Sequence, residues 1–436
     1  MPKNIKDAPT LSGRWPLFGH LPRLNRDAYR FLRDAARELG PVFWIDLGFG
    51  NRTLMVVSEP GFAVFKSKHA DSSHLRDFAA FLGKSMLTVD GPDHRRMRTA
   101  SSHAFTPAGL SRAQIGDTIA ETLERRVATW QGQDSVAIVE QTKVIALEVI
   151  FRVMGIEVRD LPQWSRWYAE FLLGLIDIPI NLPGTPKWRA RRARRWLEAR
   201  VLAIIADARA RDDHDSLVGA MVHGKDDQGA GQSESELVDN LLILGFAGHE
   251  TTASTMAWSM LHLGSSPRRW DRLCEEAAAI GDPPHDYAEL MSRAPYALGV
   301  FRESLRLYPP VTIDSRRAHT TFELAGYRIE PGTVVGTSFL HLSRDEARYE
   351  QPDAWRPERW LDLGHKPTPI ENCQFGGGAH FCLGYHMALL EGTMFLVHVA
   401  RTLSKWGRRP LVEGELPRPT FVPLTRPPAK TRLVLA

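Results

Sequence analysis

The run from Ser233 to Gly264 sets the scale of whatever this chain builds. Ser233-Glu234-Ser235-Glu236 has the form of a capping box, with serine and glutamate satisfying each other's backbone N–H groups. A helical pattern follows as far as Gly264, and Pro267 lies just beyond it as a stop signal. Some thirty residues at about 1.5 Å each span about 45 Å, the width of a whole domain. The stretch is apolar through residues 241–247, but Asp239, Asn240, His249 and Glu250 argue against a membrane span. A long buried helix is expected, and the remaining elements must wrap around it. Amphipathic helical patterns cover 25–39, 108–130, 141–154, 188–211 and 287–306. Strand-like pieces occupy 41–47, 52–57, 322–329, 333–337 and 432–436. Helices with small strands segregated from them predict a mainly α fold with small β-sheets, of the α+β class. Residues 225–232 are polar and Gly-rich and read as a loop. Residues 1–436 are read as one domain, with 1–24 a Pro-rich leading segment.

The middle of the long helix reads Ala247-Gly248-His249-Glu250-Thr251-Thr252. Gly248, Thr251 and Thr252 share a face by spacing. A helix-interior glycine costs about 1 kcal/mol, which suggests close approach of something flat. An acid beside a hydroxyl can relay protons; alternatively, the threonines bond their own i−4 carbonyls and Glu250 sits in a salt bridge. Late in the chain comes Phe375-Gly376-Gly377-Gly378-Ala379-His380-Phe381-Cys382-Leu383-Gly384, followed by a helix-prone run. Glycines let the backbone curl and approach a planar ligand closely. The following helix N-terminus favours the Cys382 thiolate, and a lone thiolate held this way suits a haem iron as axial ligand. The chain has only Cys274, Cys373 and Cys382, which argues against a disulfide framework and for a reducing compartment. Residues 1–24 hold no apolar run suited to a signal peptide or membrane anchor, so a cytoplasmic protein is expected. A net charge of +4 is too small to argue for nucleic acid, though it fits docking with an acidic protein or a membrane surface.

Phe-Gly-x-Gly-x-His-x-Cys-x-Gly, as it stands at 375–384, resembles the haem-binding loop of the cytochrome P450 family. The resemblance implies that family's fold, with haem b (iron protoporphyrin IX) between the long central helix and the cysteine loop. It makes Cys382 the axial ligand and places Phe375, Gly376, Gly384, Ala247 and Gly248 at the cofactor. The 247–252 motif looks like the family's oxygen-activating helix, so Thr251 is implied to hydrogen-bond dioxygen and Glu250 to help deliver protons. Glu303-Ser304-Leu305-Arg306, then Trp355-Arg356-Pro357-Glu358-Arg359-Trp360, follow the family order; Glu303, Arg306 and Arg359 would form a buried structural network. His94, Arg98, Arg316 and His380 match positions that hold the haem propionates, with the adjacent Arg317 as the alternative to Arg316.

The activity implied is a monooxygenase using O2, with NAD(P)H electrons arriving through a separate ferredoxin or flavodoxin and its reductase. The retained acid–hydroxyl pair favours this over a peroxide-driven or non-oxidative member. Outside the family, Cys373, His380, Cys382 and His386 could form a zinc module, but the spacing is poor. A thiol hydrolase using Cys382 would lack a recognisable orienting group. Candidate pocket residues are Phe78, Phe81, Leu82, Leu244, Ala247, Val311, Thr312, Ile313 and Val422; their apolar character suits a lipophilic substrate such as a terpenoid, steroid or fatty acid. A monomer is expected. The basic run 187–196 reads either as a solvated helix or as a transient membrane contact.

Overall fold

Ser233 starts the long helix as its sequence requires: Oγ accepts from the Glu236 N–H, and Glu236 accepts from the Ser233 N–H at 2.9 Å. The structure, a computed structural model, describes residues 2–48, 50–78, 82–175, 181–421 and 424–436, of which 76–78 and 175 by backbone only. Among the described residues are ten helices of twelve residues or more. They are α1 (Ala28–Leu39), α2 (Gly91–Ser102), α3 (Ile115–Ala128), α4 (Ile138–Val153) and α5 (Leu161–Leu172), then α6 (Pro186–Ala210), α7 (Glu234–Gly264), α8 (Pro267–Ile280), α9 (Pro295–Leu307) and α10 (Tyr385–Lys405).

α7 packs against α4, α6, α9 and α10, and every residue from Thr252 to Gly264 is buried. A helix apolar on all sides belongs inside a core rather than on its surface. A five-stranded sheet stands apart, in the order Val42–Asp46, Arg52–Val56, Val334–Ser338, Ile313–Ala318, Ala70–Asp71. Leu54 faces Val335 in its parallel pair, and Arg316 faces Val335 across an antiparallel one. Two three-stranded sheets are also present among the described residues, so the expected α+β class with small sheets holds.

Several expected boundaries fail for local reasons. The helix expected over 108–130 breaks at Gln114, whose left-handed φ of 49° separates Pro107–Arg112 from α3. The pattern over 287–306 is two helices, Tyr287–Arg293 and α9, because Pro295 opens the second at its first turn. By contrast, α7 ends at Gly264 as expected, and Pro267 opens α8. The strand expected over 322–329 is a hairpin turning at Ala325 and Gly326, both with positive φ, as a tight two-residue turn needs.

Packing of α9 on α10 leaves no space at Gly392, where an added Cβ would lie 2.2 Å from the Phe301 ring. Gly392→Ala is therefore expected to lower stability by about 1–3 kcal/mol, read as a reduced urea midpoint; an unchanged midpoint would contradict this packing.

Candidate active site

The cysteine loop is shaped by backbone bonds within it and contacts beneath it. Cys373–Phe375 form one tight turn, closed by the Gly376 N–H donating to the Cys373 carbonyl at 2.8 Å. Gly376 and Gly378 both have positive φ, and a Cβ on Gly378 would lie 1.8 Å from the Phe65 carbonyl oxygen. Only glycine fits there. The Cys382 N–H then returns to the Phe375 carbonyl at 2.8 Å, which sets the sulfur just ahead of α10. Burial pushes the Cys382 thiol up; the Gly384 N–H and the Arg98 charge pull the other way without prevailing. The helix terminus does pull toward the thiolate, as expected, through the Gly384 N–H, although burial outweighs it. A coordinated metal deprotonates a thiol outright, so the thiolate form is left to the metal.

A buried carboxylate holds the loop's approach. Glu303 and Arg306 have fully buried side chains and pair in a fork, at 2.8 and 2.9 Å. Arg359 Nε, Trp360 Nε1 and the Arg356 N–H also donate to Glu303, at 3.0, 3.0 and 2.8 Å. Burial works against the Glu303 charge, but Arg306 and its neighbours hold the carboxyl below its usual range. Arg306 further donates to the carbonyls of Ser343 and Pro352, both at 2.7 Å. The Ser343 hydroxyl accepts from Gln374 at 2.8 Å, one residue before Phe375. Arg302 on the same helix brackets the loop, donating to Asn372 before it and Tyr385 after it, at 2.9 and 2.7 Å.

In the middle of α7 the burial changes. Leu237 to Leu242 and Thr252 onward are buried, yet Ala247 is exposed and Leu244, Gly248 and Thr251 are half-buried. Leu244, Phe375 and Leu383 all border the main core cluster, and the Arg98 charge of α2 acts on the Cys382 sulfur. Gly248 does not face the open side: a Cβ there would meet Ile150 of α4 at an ordinary 3.4 Å. The Thr251 hydroxyl donates to the Ala247 carbonyl at 2.7 Å, the i−4 bond that threonine commonly makes. Glu250 lies 2.6 Å from Lys143 Nζ and 3.4 Å from His249 Nε2. Burial opposes its ionisation, but His249 and Lys143 outweigh it and hold the carboxyl down to about 2. The structural alternative for this motif is therefore present in the Glu250 ion pairs and in the i−4 bond of Thr251.

Of the four expected propionate partners, two are uncommitted. His94 Nε2 is buried with no hydrogen-bond partner, and burial first, then His380 and Arg98, bring its pKa down to about 4. A neutral imidazole whose Nε2 carries the proton can donate to an anion. The half-buried Arg98 guanidinium has no hydrogen-bond or ion-pair partner among the described residues, and burial lowers its pKa. A part-desolvated cation beside an orphaned donor calls for an anion. The residues therefore fit a haem, whose propionates are such anions. Arg316 is buried, unlike the half-buried Arg317, and is paired with Asp314 at 2.9 Å. The His380 ring lies 4.1 Å from that of His94, and its Nε2 is 2.9 Å from Asp90. Burial opposes the Asp90 charge; His380 and the Ser72 N–H keep the carboxyl below its usual range. Asp90 and Lys143 are functional neighbours that sequence reading missed, since neither lies in a motif with its partner.

Among the pocket candidates, Leu82 and Thr312 are buried, Ile313 is half-buried and Val311 is exposed. Phe81 and Val422, and the side chain of Phe78, lie outside the described residues. Three of the six cations in the basic run have partners. Arg189 pairs with Glu170, Arg194 with Asp239, and Arg192 sits over the Trp167 ring. No helix among the described residues is long and apolar enough to cross a membrane.

Residues 9–160 and 191–423 match the family model described as Cytochrome P450. The cytochrome P450 BJ-4 homolog of Sinorhizobium fredii is 38% identical over 93% of this chain and 91% of its own. Cytochrome P450 BJ-4 of Bradyrhizobium diazoefficiens is 36% identical over 98% of this chain and 96% of its own. Among solved structures, the retinoic acid bound cyanobacterial CYP120A1 aligns with a TM-score of 0.85 at 25% identity, over 100% of this chain and 99% of that one.

Two stability measurements test this geometry. Glu303→Ala leaves Arg306 buried and unpaired, so a loss of about 3–5 kcal/mol in urea unfolding is expected; a loss under about 1 kcal/mol, as for an exposed pair, would contradict the network. Glu250 falls from an ordinary 4.5 to about 2 on folding. A carboxyl depressed on folding adds stability that is full above its unfolded pKa and is lost as pH falls through the folded one. The stability lead of wild type over Glu250→Gln should therefore be full near neutral pH and shrink between pH 4.5 and about 2. A lead that grew with acid would reverse the sign.

Proposed function

Because this chain belongs to the cytochrome P450 family of haem monooxygenases, we propose that it inserts one oxygen atom from O2 into a C–H or C=C bond of a lipophilic small molecule. Electrons come from NAD(P)H through a separate ferredoxin- or flavodoxin-type carrier and its reductase. The observation that carries this reading is Cys382 in its glycine-shaped loop, within electrostatic reach of Arg98, which has no partner among the described residues. Haem, when bound, supplies the oxygen activation, which is the cofactor's own chemistry.

The chain's residues then take the following parts. Cys382 Sγ would ligate the haem iron. Arg98 and His94 Nε2 would hold the propionates together with Arg316 and His380, and Phe375, Gly376, Gly384, Ala247 and Gly248 would help bind the cofactor. Thr251 Oγ would present a proton at the cofactor, and the ionised Glu250 would help deliver its replacement by accepting a proton from solvent and passing it on. Glu303, Arg306 and Arg359 position the loop within a single domain spanning 1–436. Leu82, Leu244, Ala247 and Val311 to Ile313 present mostly apolar surface, which supports a terpenoid, steroid or fatty acid-like substrate. The retinoic acid named for the solved relative falls within that class.

The test is turnover of haem-loaded protein with a surrogate ferredoxin, its reductase and NADPH against a panel of such lipophiles. A product carrying one added oxygen atom is expected for at least one class. Thr251→Ala is expected to keep consuming NADPH while diverting it to hydrogen peroxide; an unchanged product yield per NADPH would contradict the role given to Thr251.

A further inference from the structure

Apart from the thiolate site, one turn brings three metal-ligating side chains together. α6 ends at Ala210, and residues 211–216 lead into the short helix Leu217–His223. Asp213 organises this turn: Oδ1 accepts from the N–H groups of Asp215 and Ser216, at 3.0 and 2.9 Å, and Oδ2 accepts from the Ser216 hydroxyl at 2.7 Å. Ser216 Oγ in turn accepts from the Gly219 N–H at 3.0 Å and caps the short helix. Gly219 admits no side chain, since a Cβ there would lie 2.2 Å from the Asp213 carbonyl oxygen. The turn is thus pressed onto the helix and held in register with it.

This arrangement gathers Asp212, His214 and His223. Their ligand atoms all lie within 4.8 Å of one another. Asp212 sits at a left-handed φ of 49°, with Oδ1 3.1 Å from His214 Nε2. The His214 and His223 rings lie 4.2 Å apart, centre to centre. His223 Nε2 is buried and has no hydrogen-bond partner, so one imidazole nitrogen of the cluster is unused. Imidazole nitrogen and carboxylate oxygen are the donors that borderline divalent ions take. Bonds of about 2.0–2.1 Å require the donors to close in slightly, and His214, with a side chain 60% exposed, is free to turn. The carbonyl end of α6 adds a favourable field for a cation nearby.

We propose that Asp212, His214 and His223 bind a borderline divalent transition-metal ion, Zn2+ foremost, which clips the end of α6 to the helix Leu217–His223. Three protein donors leave a remaining position for water. α6 also carries Arg194, the partner of Asp239 on α7, so the clip stiffens an element that packs on the central helix. None of these residues belongs to the thiolate site, so the clip stands whether or not the reading of that site is right.

The experiment is equilibrium dialysis of haem-loaded protein against chelator-buffered Zn2+, with elemental analysis and thermal unfolding of the recovered samples. Wild type should take up one zinc per chain and unfold at a higher temperature with zinc than without. His214→Ala and His223→Ala should each bind zinc at least about tenfold more weakly, and Mg2+ should give no shift. His214 faces solvent, so His214→Ala keeps the fold, and its unchanged visible spectrum verifies this. Zinc binding by that variant then decides the matter even if His223→Ala misfolds. Wild type that binds no zinc, or His214→Ala that binds it as tightly as wild type, overturns the proposal.

Discussion

A charge that cannot reach water dictates much of this architecture. Glu303 is fully buried, and a carboxylate in that position must be met by donors from several directions or remain unionised. Arg306 meets it from its own helix, and Arg359, Trp360 and the Arg356 N–H meet it from a segment some fifty residues later. Arg306 spends its remaining donors on carbonyls of residues 343, 352 and 354. Ser343 passes the constraint to Gln374, and the turn that follows ends in the bond between the Cys382 N–H and the Phe375 carbonyl. One desolvated ion cluster is therefore linked, bond by bond, to the placement of a single sulfur. The network's value here is geometric specificity rather than net stability, which buried ion pairs supply poorly.

At the sulfur itself two effects oppose each other, and their order matters. The backbone N–H and the Arg98 charge favour a thiolate, but burial disfavours it more. Ligation by a metal would supply the deprotonation that burial opposes. The same logic runs along the edge that holds His94 and Arg98. An orphaned imidazole nitrogen and an unpaired guanidinium cost free energy in the protein alone, and an anionic ligand returns that cost as affinity. Glu250 differs, because Lys143 and His249 already compensate its charge.

Sequence reading succeeded where a feature and its cause lie close together in the chain. The capping box at Ser233 and Glu236 forms as written, and the glycines at 376 and 378 prove to be demanded by positive φ and by the Phe65 carbonyl. The links of Glu303 to Arg306 and Arg359 were legible only through resemblance, since an acid and a base three residues apart are common on surfaces. Partners supplied across the fold were not legible. Nothing near Glu250 announces Lys143, nothing near His380 announces Asp90, and Gly248 turns to Ile150 because of how α4 crosses α7. Proline misled for a simple reason: its missing N–H suits both the residue after a helix and the first turn of the next. Pro295, inside the single helical pattern expected over 287–306, turned out to start a second helix, whereas the end expected at Gly264 before Pro267 holds.

Everything proposed for the site turns on Cys382 ligating haem iron through its sulfur, and the visible spectrum of the ferrous, carbon monoxide-saturated protein reads that bond directly. Thiolate ligation predicts a strongly red-shifted Soret band that disappears in Cys382→Ser. An unshifted band, or a shifted band that survives the substitution, would contradict it.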